Sequence, residues 1–485
     1  MAVRQLRSLL LLCEHDMTEV PLLRRQAAFP EAPFSTERGF RLGSAFIVAT
    51  VVLLGLACVL FLSDAVVGAG VVASVWAVGI IFASPRAGVV IALTIQVFDI
   101  ALNPEEGGSY QWLSPGRVIA VLVVLSYFLR ILGGRSPSMV RTRGMMIVLG
   151  LFAAWCFVSL MWVEVFDRGL LSATKILLQV LTVLVAIDML SELRVLRQAL
   201  LFICVGAFLG GMYALFSGVA VRSASEARLA VRGTGINTLA VSAGIGAVAA
   251  IALMVQRRTP GVLLVAITST IGITLLLLRT GTRSAILGVP MAVAIGAVLA
   301  YWRKAHKLVL ITIVMATISG GTLYWALETG FIEGKLRDRV MGVFETSAYE
   351  TNERWDLWEE ALRIYLRNPI GTGAGNEALG YMELRGGYGS LESHNTFISV
   401  LLQYNVVGLG LFMTFCILLF RGLLHVKDPA VKAGAAMLLA YVLLNALKGS
   451  SVENRMLWQP ILLAAAMIEA DYRKYSTYAE LEDER

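Results

Sequence analysis

Long apolar runs, separated by short polar stretches, follow one another along most of the chain. A run of about 17–25 apolar residues is long enough to cross about 30 Å of hydrocarbon as a helix. Such windows lie near 43–63, 66–84, 87–102, 117–133, 144–163, 170–190, 198–220, 236–255, 261–279, 284–302, 307–327, 395–420, 430–447 and 455–470. The pattern predicts an all-α polytopic membrane protein with about 12–14 transmembrane helices.

The polar stretches divide the chain into five predicted parts. These are a cytoplasmic N-terminal tail at 1–42, transmembrane helices at 43–327, a long hydrophilic loop at 328–394, C-terminal transmembrane helices at 395–470 and a cytoplasmic tail at 471–485. The opening stretch "MAVRQLRSLLLLCEHD" has a basic start and a short apolar run, but no small-residue cleavage site follows it. It is therefore interpreted as part of the tail rather than as a signal peptide, and Met17 is an equally good candidate for the true start.

The composition agrees with a membrane protein and excludes a water-soluble domain. Hydrophobic residues make up 57% of the chain and charged residues 15%, and the mean hydropathy is +0.74. The net charge of +7 fits a protein that faces anionic lipid, and no nucleic acid is expected as a partner. The five cysteines form neither a disulfide framework nor a CxxC metal motif.

Lysine and arginine residues are concentrated in alternate loops. If the N-terminus is cytoplasmic, the basic residues near 130–143, 194–197, 257–258, 303–307 and 421–432 all fall on the cytoplasmic side. The positive-inside rule favours this orientation. It puts the hydrophilic loop at 328–394 on the outer face.

Five arginines then fall on the outer face, against the charge bias: Arg222, Arg228, Arg232, Arg279 and Arg283. Arg222 and Arg228 can reach lipid phosphate or pair with Glu226. Arg232 lies in "RGTGIN", where two glycines let the backbone approach a ligand. Arg283 starts an apolar span, where a guanidinium is costly unless it meets an anion. We therefore expect Arg232 and Arg283 to be functional.

Residues 352–369, in the outer loop, predict an amphipathic helix. Asn352 is a candidate N-cap, and the Asn368–Pro369 pair is expected to end the helix. The aromatic and leucine stripe on one side indicates packing against the spans or the headgroup layer more than ligand stacking.

The segment "GTGAGN", residues 371–376, follows that helix. It lacks the GK[ST] of a phosphate-binding P-loop, so a nucleotide site is not expected. The glycines predict a turn whose backbone comes close to a ligand or to another loop.

His394 stands at the outer start of the span that begins near residue 395. A capping or interfacial role for this histidine stays open. The positive end of a helix disfavours an imidazolium and keeps the ring in the form that accepts a proton. A neutral base beside outer arginines suits attack by a hydroxyl on a carbon that bears a phosphate leaving group. No cofactor and no metal are expected.

Two segments resemble the superfamily of O-antigen ligases and O-antigen polymerases, membrane glycosyltransferases of the GT-C kind. "ERWDLWEEALRIYLRNPIGTGAGN" (353–376) is similar to its Arg-x-x-x-Trp…Asn-Pro-hydrophobic-Gly-x-Gly-x-Gly-Asn segment, and "SHNTFISVLLQYNVVGLGLF" (393–412) to its His-Asn-x-hydrophobic…Gly signature. "RGTGIN" and "TGTRSAILG" resemble weaker landmarks. The likeness covers roughly 140–470, and about fourteen spans exceed the usual twelve or so of such ligases.

The resemblance implies a fold, a place and a reaction. The fold would be of the GT-C type with one long periplasmic loop, and the enzyme would lie in the inner membrane with its active site on the periplasmic side. It would use a glycan donor linked through diphosphate to undecaprenol and invert the transferred sugar carbon without a metal.

Site residues also follow from the resemblance. His394 would be the catalytic base or would position the acceptor, and Arg232, Arg283 and Arg354 would contact the diphosphate or the glycan. Arg232 and Arg283 are predicted to be catalytic together with His394. The predicted substrate-binding set is Arg354 with four residues chosen by their place in the sequence: Arg279, Asn376, Glu392 and Asn395.

The predicted function is transfer of the lipid-linked glycan to a hydroxyl acceptor, with lipid A-core as the acceptor of a ligase. A polymerase that joins repeat units of O-antigen or exopolysaccharide to a growing chain is the nearest alternative, and a protein O-glycosyltransferase is another. A transporter or flippase for the lipid-linked glycan is the alternative from a different class. It is disfavoured because no internal repeat is evident and the polar groups gather at the outer span ends. Lys175, Gln179 and Asp188 lie within one span and are expected to pair locally or to reach an interface.

Overall fold

The structure is a computed structural model, and it describes the chain from residue 77 onward with gaps. The described ranges are 77–102, 115–217 without 136 and 138, 219–223, 226–230, 236–256, 259–280, 282–301, 328, 348–385, 393–449 and 452–483. The predicted N-terminal tail, the predicted spans at 43–63 and 307–327 and most of that at 66–84 lie outside these residues. So do Arg232 and Glu392.

Most of the described residues belong to thirteen α-helices and one pair of β-strands. The helices before the strands are α1 (Pro85–Leu102), α2 (Pro115–Leu132), α3 (Arg143–Val158), α4 (Phe166–Met189) and α5 (Leu193–Ser217). The strands are β1 (Val219–Ser223) and β2 (Glu226–Ala230). The helices after them are α6 (Ile236–Gln256), α7 (Pro260–Thr280), α8 (Arg283–Ala300), α9 (Ala348–Arg367), α10 (Glu377–Arg385), α11 (Thr396–Leu424), α12 (Pro429–Ala446) and α13 (Arg455–Asp483).

The helices confirm the all-α polytopic class. Within the described residues, six helical stretches are long and apolar enough to cross a membrane: Arg143–Met161, Phe166–Met189, Leu193–Tyr213, Thr238–Gln256, Thr396–Leu424 and Pro429–Ala446. Three shorter apolar stretches accompany them, at Pro85–Ile95, Pro260–Thr274 and Ala285–Ala300. The total of 12–14 spans stays a prediction.

The two strands depart from a purely helical chain. They pair antiparallel, with Val219 opposite Ala230 and Ser223 opposite Glu226, and only two residues separate them in the sequence. Such a spacing suits a tight hairpin. The sequence pattern predicted an outer loop here, with Arg222 and Arg228 on the side that positive charge disfavours, and it predicted no strand.

Aromatic side chains from three helices form the centre of the core. The ring centroid of Phe412 in α11 lies 5.6 Å from that of Phe152 in α3 and 6.5 Å from that of Trp458 in α13. All three side chains are buried. This packing fixes α11, the helix that follows His394, between α3 and α13.

Small residues allow other helices to approach closely, as is common in membrane bundles. A Cβ atom on Gly244 in α6 would lie 1.9 Å from the Tyr441 hydroxyl oxygen in α12. That hydroxyl donates a hydrogen bond of 3.2 Å to the carbonyl oxygen of Val241. Glycine at 244 is therefore required for α6 and α12 to pack as they do.

Buried carboxylates connect several helices at the end of the bundle where α2 and α4 terminate. Arg473 Nη2 lies 3.3 Å from Asp188 Oδ1, and its Nε lies 3.5 Å from Glu469 Oε1. Asp188 also accepts from the Tyr127 hydroxyl, at 3.2 Å, and Glu469 accepts from the Thr142 amide, at 3.0 Å. Asp188 therefore pairs locally, as expected for a carboxylate within a span.

Two predicted boundaries differ from the structure. The amphipathic helix begins at Ala348 rather than at Asn352, so Asn352 is not its N-cap, whereas the helix ends at Arg367, directly before the Asn368–Pro369 pair. The last helix continues to Asp483, through most of the stretch predicted as a tail at 471–485. Charged residues beyond 470 lower the apolar signal without breaking the helix.

Candidate active site

His394 is exposed and lies directly before α11. Its φ angle of +49° places it in the left-handed region, which non-glycine residues adopt at a cost of about 1–2 kcal/mol. Asn395 follows as the N-cap of α11, and its side-chain oxygen accepts from the amides of Phe397 and Ile398 at 3.0 and 3.3 Å. The turn therefore presents the imidazole outward at the helix start while Asn395 itself is buried.

The residue before His394 is held by α9. Trp358 Nε1 donates a hydrogen bond of 2.9 Å to the Ser393 carbonyl oxygen. Trp355, one turn earlier in α9, is 61% exposed. Trp358 therefore secures the lead-in to the histidine, and the choice between packing and ligand stacking for the stripe stays a prediction.

A buried carboxylate that the sequence analysis missed lies beneath this turn. Glu377 Oε1 accepts from the Ser393 amide at 2.7 Å. Its other oxygen accepts from the Ser399 hydroxyl and from Gln403 Nε2 at 3.4 Å. Glu377 therefore joins the segments on both sides of His394, and charge-assisted bonds of this kind are stronger than neutral ones.

The glycine turn at 371–376 docks on a break in α11. Asn405 has φ +57° and ψ −167°, which interrupts the helix. The carbonyl oxygens of Leu402 and Gln403 accept from the amides of Thr372 and Gly373 at 2.8 and 3.1 Å. The expectation that the turn's backbone approaches another segment is confirmed.

Three residues of that turn require glycine: Gly371, Gly373 and Gly375 have positive φ angles and no room for a Cβ atom. Gly373 has φ +78°, and a Cβ atom there would lie 2.9 Å from Val163 Cβ. Gly375 has φ +68°, and a Cβ atom there would lie 2.8 Å from the Arg168 carbonyl oxygen. The Gly375 amide donates to Gln403 Oε1 at 2.7 Å, so the turn is linked to the hydrogen bonds around Glu377.

Asn376, which was predicted to bind substrate, is 1% exposed. Its Nδ2 donates to the Ala374 carbonyl oxygen at 2.9 Å and lies 3.5 Å from that of Val165. Its position in the structure is that of a residue that holds the turn. The substrate contacts predicted for Asn376 and Asn395 stay predictions.

Two cations flank the histidine turn. Arg354 lies in α9, four residues before Trp358, and is partly exposed. Lys448 lies in the turn after α12, and the next carbonyl oxygen, that of Gly449, accepts from the Thr396 hydroxyl at 2.7 Å. Partial burial, and next the positive charge of Arg354, lower the pKa of Lys448 below its usual value.

A second polar cluster, formed by Ser172, Lys175 and Glu453, contacts α11 at Tyr404. The Ser172 hydroxyl donates to Glu453 Oε1 at 2.5 Å, and Lys175 Nζ lies 3.3 Å from Glu453 Oε2. The Ser172 and Tyr404 hydroxyl oxygens are 3.4 Å apart. Lys175 thus forms an ion pair within the bundle, as predicted, and the sequence did not indicate that Glu453 is its partner.

The predicted arginines are placed by their helices. Arg283 is the first residue of α8, as the sequence indicated, and Arg279 lies in the last turn of α7. The structure does not describe the side chains of either residue. In the described part of the chain, no group of three His, Cys, Asp or Glu residues is placed to hold a metal ion.

The fold and this site define a multi-pass, all-α membrane protein with an exposed histidine at the mouth of a membrane-length helix. Residues 268–413 match the family model Wzy_C, described as O-antigen ligase. Over these residues the chain is similar to the O-antigen ligase family, and the predicted resemblance is confirmed. The match supports an activity of the O-antigen ligase or polymerase kind. A search of curated proteins found no match.

Proposed function

We propose that the protein is an inverting glycosyltransferase. It moves a glycan linked through diphosphate to undecaprenol onto a hydroxyl acceptor at the periplasmic face of the inner membrane. The donor enters from the bilayer, and lipid A-core is the acceptor that we favour. The observation that carries the proposal is the exposed His394, held at the start of α11 within the segment that matches the O-antigen ligase family.

In the proposed reaction, the acceptor hydroxyl gives its proton to the imidazole of His394. The freed oxygen attacks the anomeric carbon of the donor sugar, and the bond from that carbon to the diphosphate oxygen breaks. The leaving undecaprenyl diphosphate takes the electron pair. Arginines stabilise the charge that develops on it, because guanidinium groups bind phosphate oxygens in a planar, bidentate way.

The hydrogen bonds around the turn support this role for His394. Trp358 holds the residue before it, Glu377 holds Ser393 and Ser399, and Asn395 caps the helix after it. A base held by its neighbours needs little reorganisation when the acceptor arrives. The proposed roles of Arg232, Arg283 and Arg354 rest on the family resemblance, and those of Arg279 and Glu392 rest on their place in the sequence.

A polymerase that joins repeat units is the second candidate. The Wzy_C match supports ligase-like and polymerase-like activities together, and the two differ only in the acceptor. A transporter of the lipid-linked glycan is the third candidate.

Reconstitution with an undecaprenyl-diphosphate oligosaccharide tests the proposal. The purified protein is given this donor with either lipid A-core or a second donor molecule as acceptor. A single capped lipid A-core product supports the ligase, and a ladder of repeats supports the polymerase. If the donor crosses the bilayer and neither product forms, the protein is a transporter and the proposal is wrong.

A further inference from the structure

The turn that contains Lys448 is fixed beside the histidine. Lys448 lies two residues after the end of α12, and the Gly449 carbonyl oxygen accepts from the Thr396 hydroxyl at 2.7 Å. Thr396 is only two residues after His394. The backbone next to Lys448 is therefore held beside the helix start that follows His394.

Arg354 approaches this face from α9. Trp358 Nε1 binds the Ser393 carbonyl oxygen at 2.9 Å, and residues four apart lie on one side of a helix. Arg354 is therefore directed to the same turn as Trp358. Its charge acts on Lys448 and contributes to the lowered pKa of that lysine.

A lysine after the last turn of a helix often serves only to interact with the negative end of the helix dipole. Partial burial and the positive charge of Arg354 lower the pKa of Lys448, so a second cation acts on this lysine besides the helix end. The described residues also provide no carboxylate in ion-pair contact with Lys448 or Arg354. Two neighbouring cations, neither of which pairs with a carboxylate of the described residues, are a suitable site for an anion.

We propose that Lys448 binds the diphosphate group of the lipid-linked donor together with Arg354, at the mouth that His394 occupies. This inference rests on the proposed function and adds to it a residue that lies outside the matched family segment. The ligand class is a diphosphate ester. The Lys448 ammonium is a point charge with three donors, so it can bind single diphosphate oxygens. The Arg354 guanidinium can bind two diphosphate oxygens at once.

Binding of inorganic diphosphate to the purified full-length protein is the first test. We expect Lys448→Ala to weaken binding about tenfold, the ratio that corresponds to 1.4 kcal/mol, and Lys448→Arg to retain most of it. Lys432→Ala is the matched control, because Lys432 lies at the other end of α12 and donates to the Leu424 carbonyl oxygen. Equal affinity in Lys448→Ala and the wild type would overturn the proposal, as would an equal loss in the control.

Chemical labelling gives a readout that does not depend on activity. An amine reagent modifies lysine side chains that it can reach, and peptide mapping reports the extent of modification at Lys448 and at Lys432. Undecaprenyl diphosphate in vesicles should protect Lys448 from the reagent, and phosphatidylglycerol at the same concentration should not. Equal protection by both lipids would assign the site to general phospholipid and contradict the donor assignment.

The two proposals fail in different ways. If the wild type transfers glycan and Lys448→Ala keeps normal diphosphate binding and transfer, the role of Lys448 is wrong and the transferase remains. If no acceptor is glycosylated but diphosphate binding depends on Lys448, the anion site remains and the transferase proposal is wrong.

Discussion

At the residue scale, the central feature is a histidine whose neighbours are all secured. His394 adopts a left-handed conformation, and the cost of that conformation is offset by hydrogen bonds on both sides of it. Ser393 is bound through its carbonyl oxygen by Trp358 and through its amide by Glu377. The imidazole itself remains exposed and is free to meet an acceptor.

Glu377→Gln tests the carboxylate beneath the turn. The amide can accept at one atom only, so at least one buried donor among Ser393, Ser399 and Gln403 loses its partner. An unsatisfied buried polar group costs about 1–3 kcal/mol, so the melting temperature in detergent should fall and glycan transfer should fall with it.

Glu359→Gln is the control for that substitution. Glu359 pairs with Arg363 on the exposed side of α9, where an ion pair contributes about 1 kcal/mol or less. Equal melting temperatures for Glu377→Gln and the wild type would show that the carboxylate does not hold the turn.

The sequence indicated the histidine but not the carboxylate. His394 and Asn395 belong to a local pattern, a polar pair at the start of an apolar run, and such patterns can be interpreted without the fold. Glu377 lies 16 residues before Ser393. The contact between these two residues exists only in the folded protein, because it depends on how the glycine turn and α10 pack. Lys448 comes from still farther along the chain, and no spacing rule connects it to His394.

At the element scale, α11 is two helical pieces that meet at Asn405. The sequence predicted one continuous span because the apolar run has no glycine or proline at that point. One tertiary and one local hydrogen bond hold the break. Asn405 Nδ2 donates to the Ile370 carbonyl oxygen at 3.2 Å, and its Oδ1 accepts from the Val407 amide at 2.8 Å. The break frees the carbonyl oxygens on which the glycine turn docks.

Substitution of Asn405 separates backbone strain from side-chain bonding. Asn405→Ala removes both side-chain hydrogen bonds and keeps the strain, and Asn405→Gly removes the same bonds but relieves the strain. We expect both variants to melt below the wild type, with Ala lower than Gly by about 1–3 kcal/mol in unfolding free energy.

Asn445→Ala is the control in the same melting experiment. Asn445 Nδ2 donates only within its own helix, to the Tyr441 carbonyl oxygen, so its loss should have a small effect. If Asn405→Ala melts no lower than this control, the break does not depend on the asparagine.

At the scale of the whole molecule, several polar regions connect the helices that the structure describes, and two of them matter most for the account. One lies around His394, Glu377 and the glycine turn. The other lies around Arg473, where Asp188 and Glu469 have fully buried side chains. The apolar pattern predicted most of the helices between these regions, because hydrophobic length is a local signal. Which helices pack together depended on aromatic and glycine contacts that the pattern does not contain.

Arg473→Ala should destabilise the bundle strongly. Removal of one partner from a buried ion pair typically costs about 3–5 kcal/mol because a charge remains buried, and Arg473 contacts two such carboxylates. Thermal unfolding in detergent measures the loss, with Arg363→Ala on the exposed surface as the control. A loss no larger than that of the control would mean that the Arg473 contacts add nothing to stability.

The central claim is that His394 accepts the acceptor's proton during glycan transfer. The direct measurement is the rate of transfer from undecaprenyl-diphosphate oligosaccharide in proteoliposomes, for the wild type, His394→Ala and His394→Gln. The control is His425→Ala, since His425 lies at the other end of α11, next to the Arg421 carbonyl oxygen. We predict that both His394 variants insert and melt as the wild type does but transfer about 10²–10⁴ times more slowly, while His425→Ala retains full activity. Transfer at the wild-type rate by His394→Ala would contradict the account.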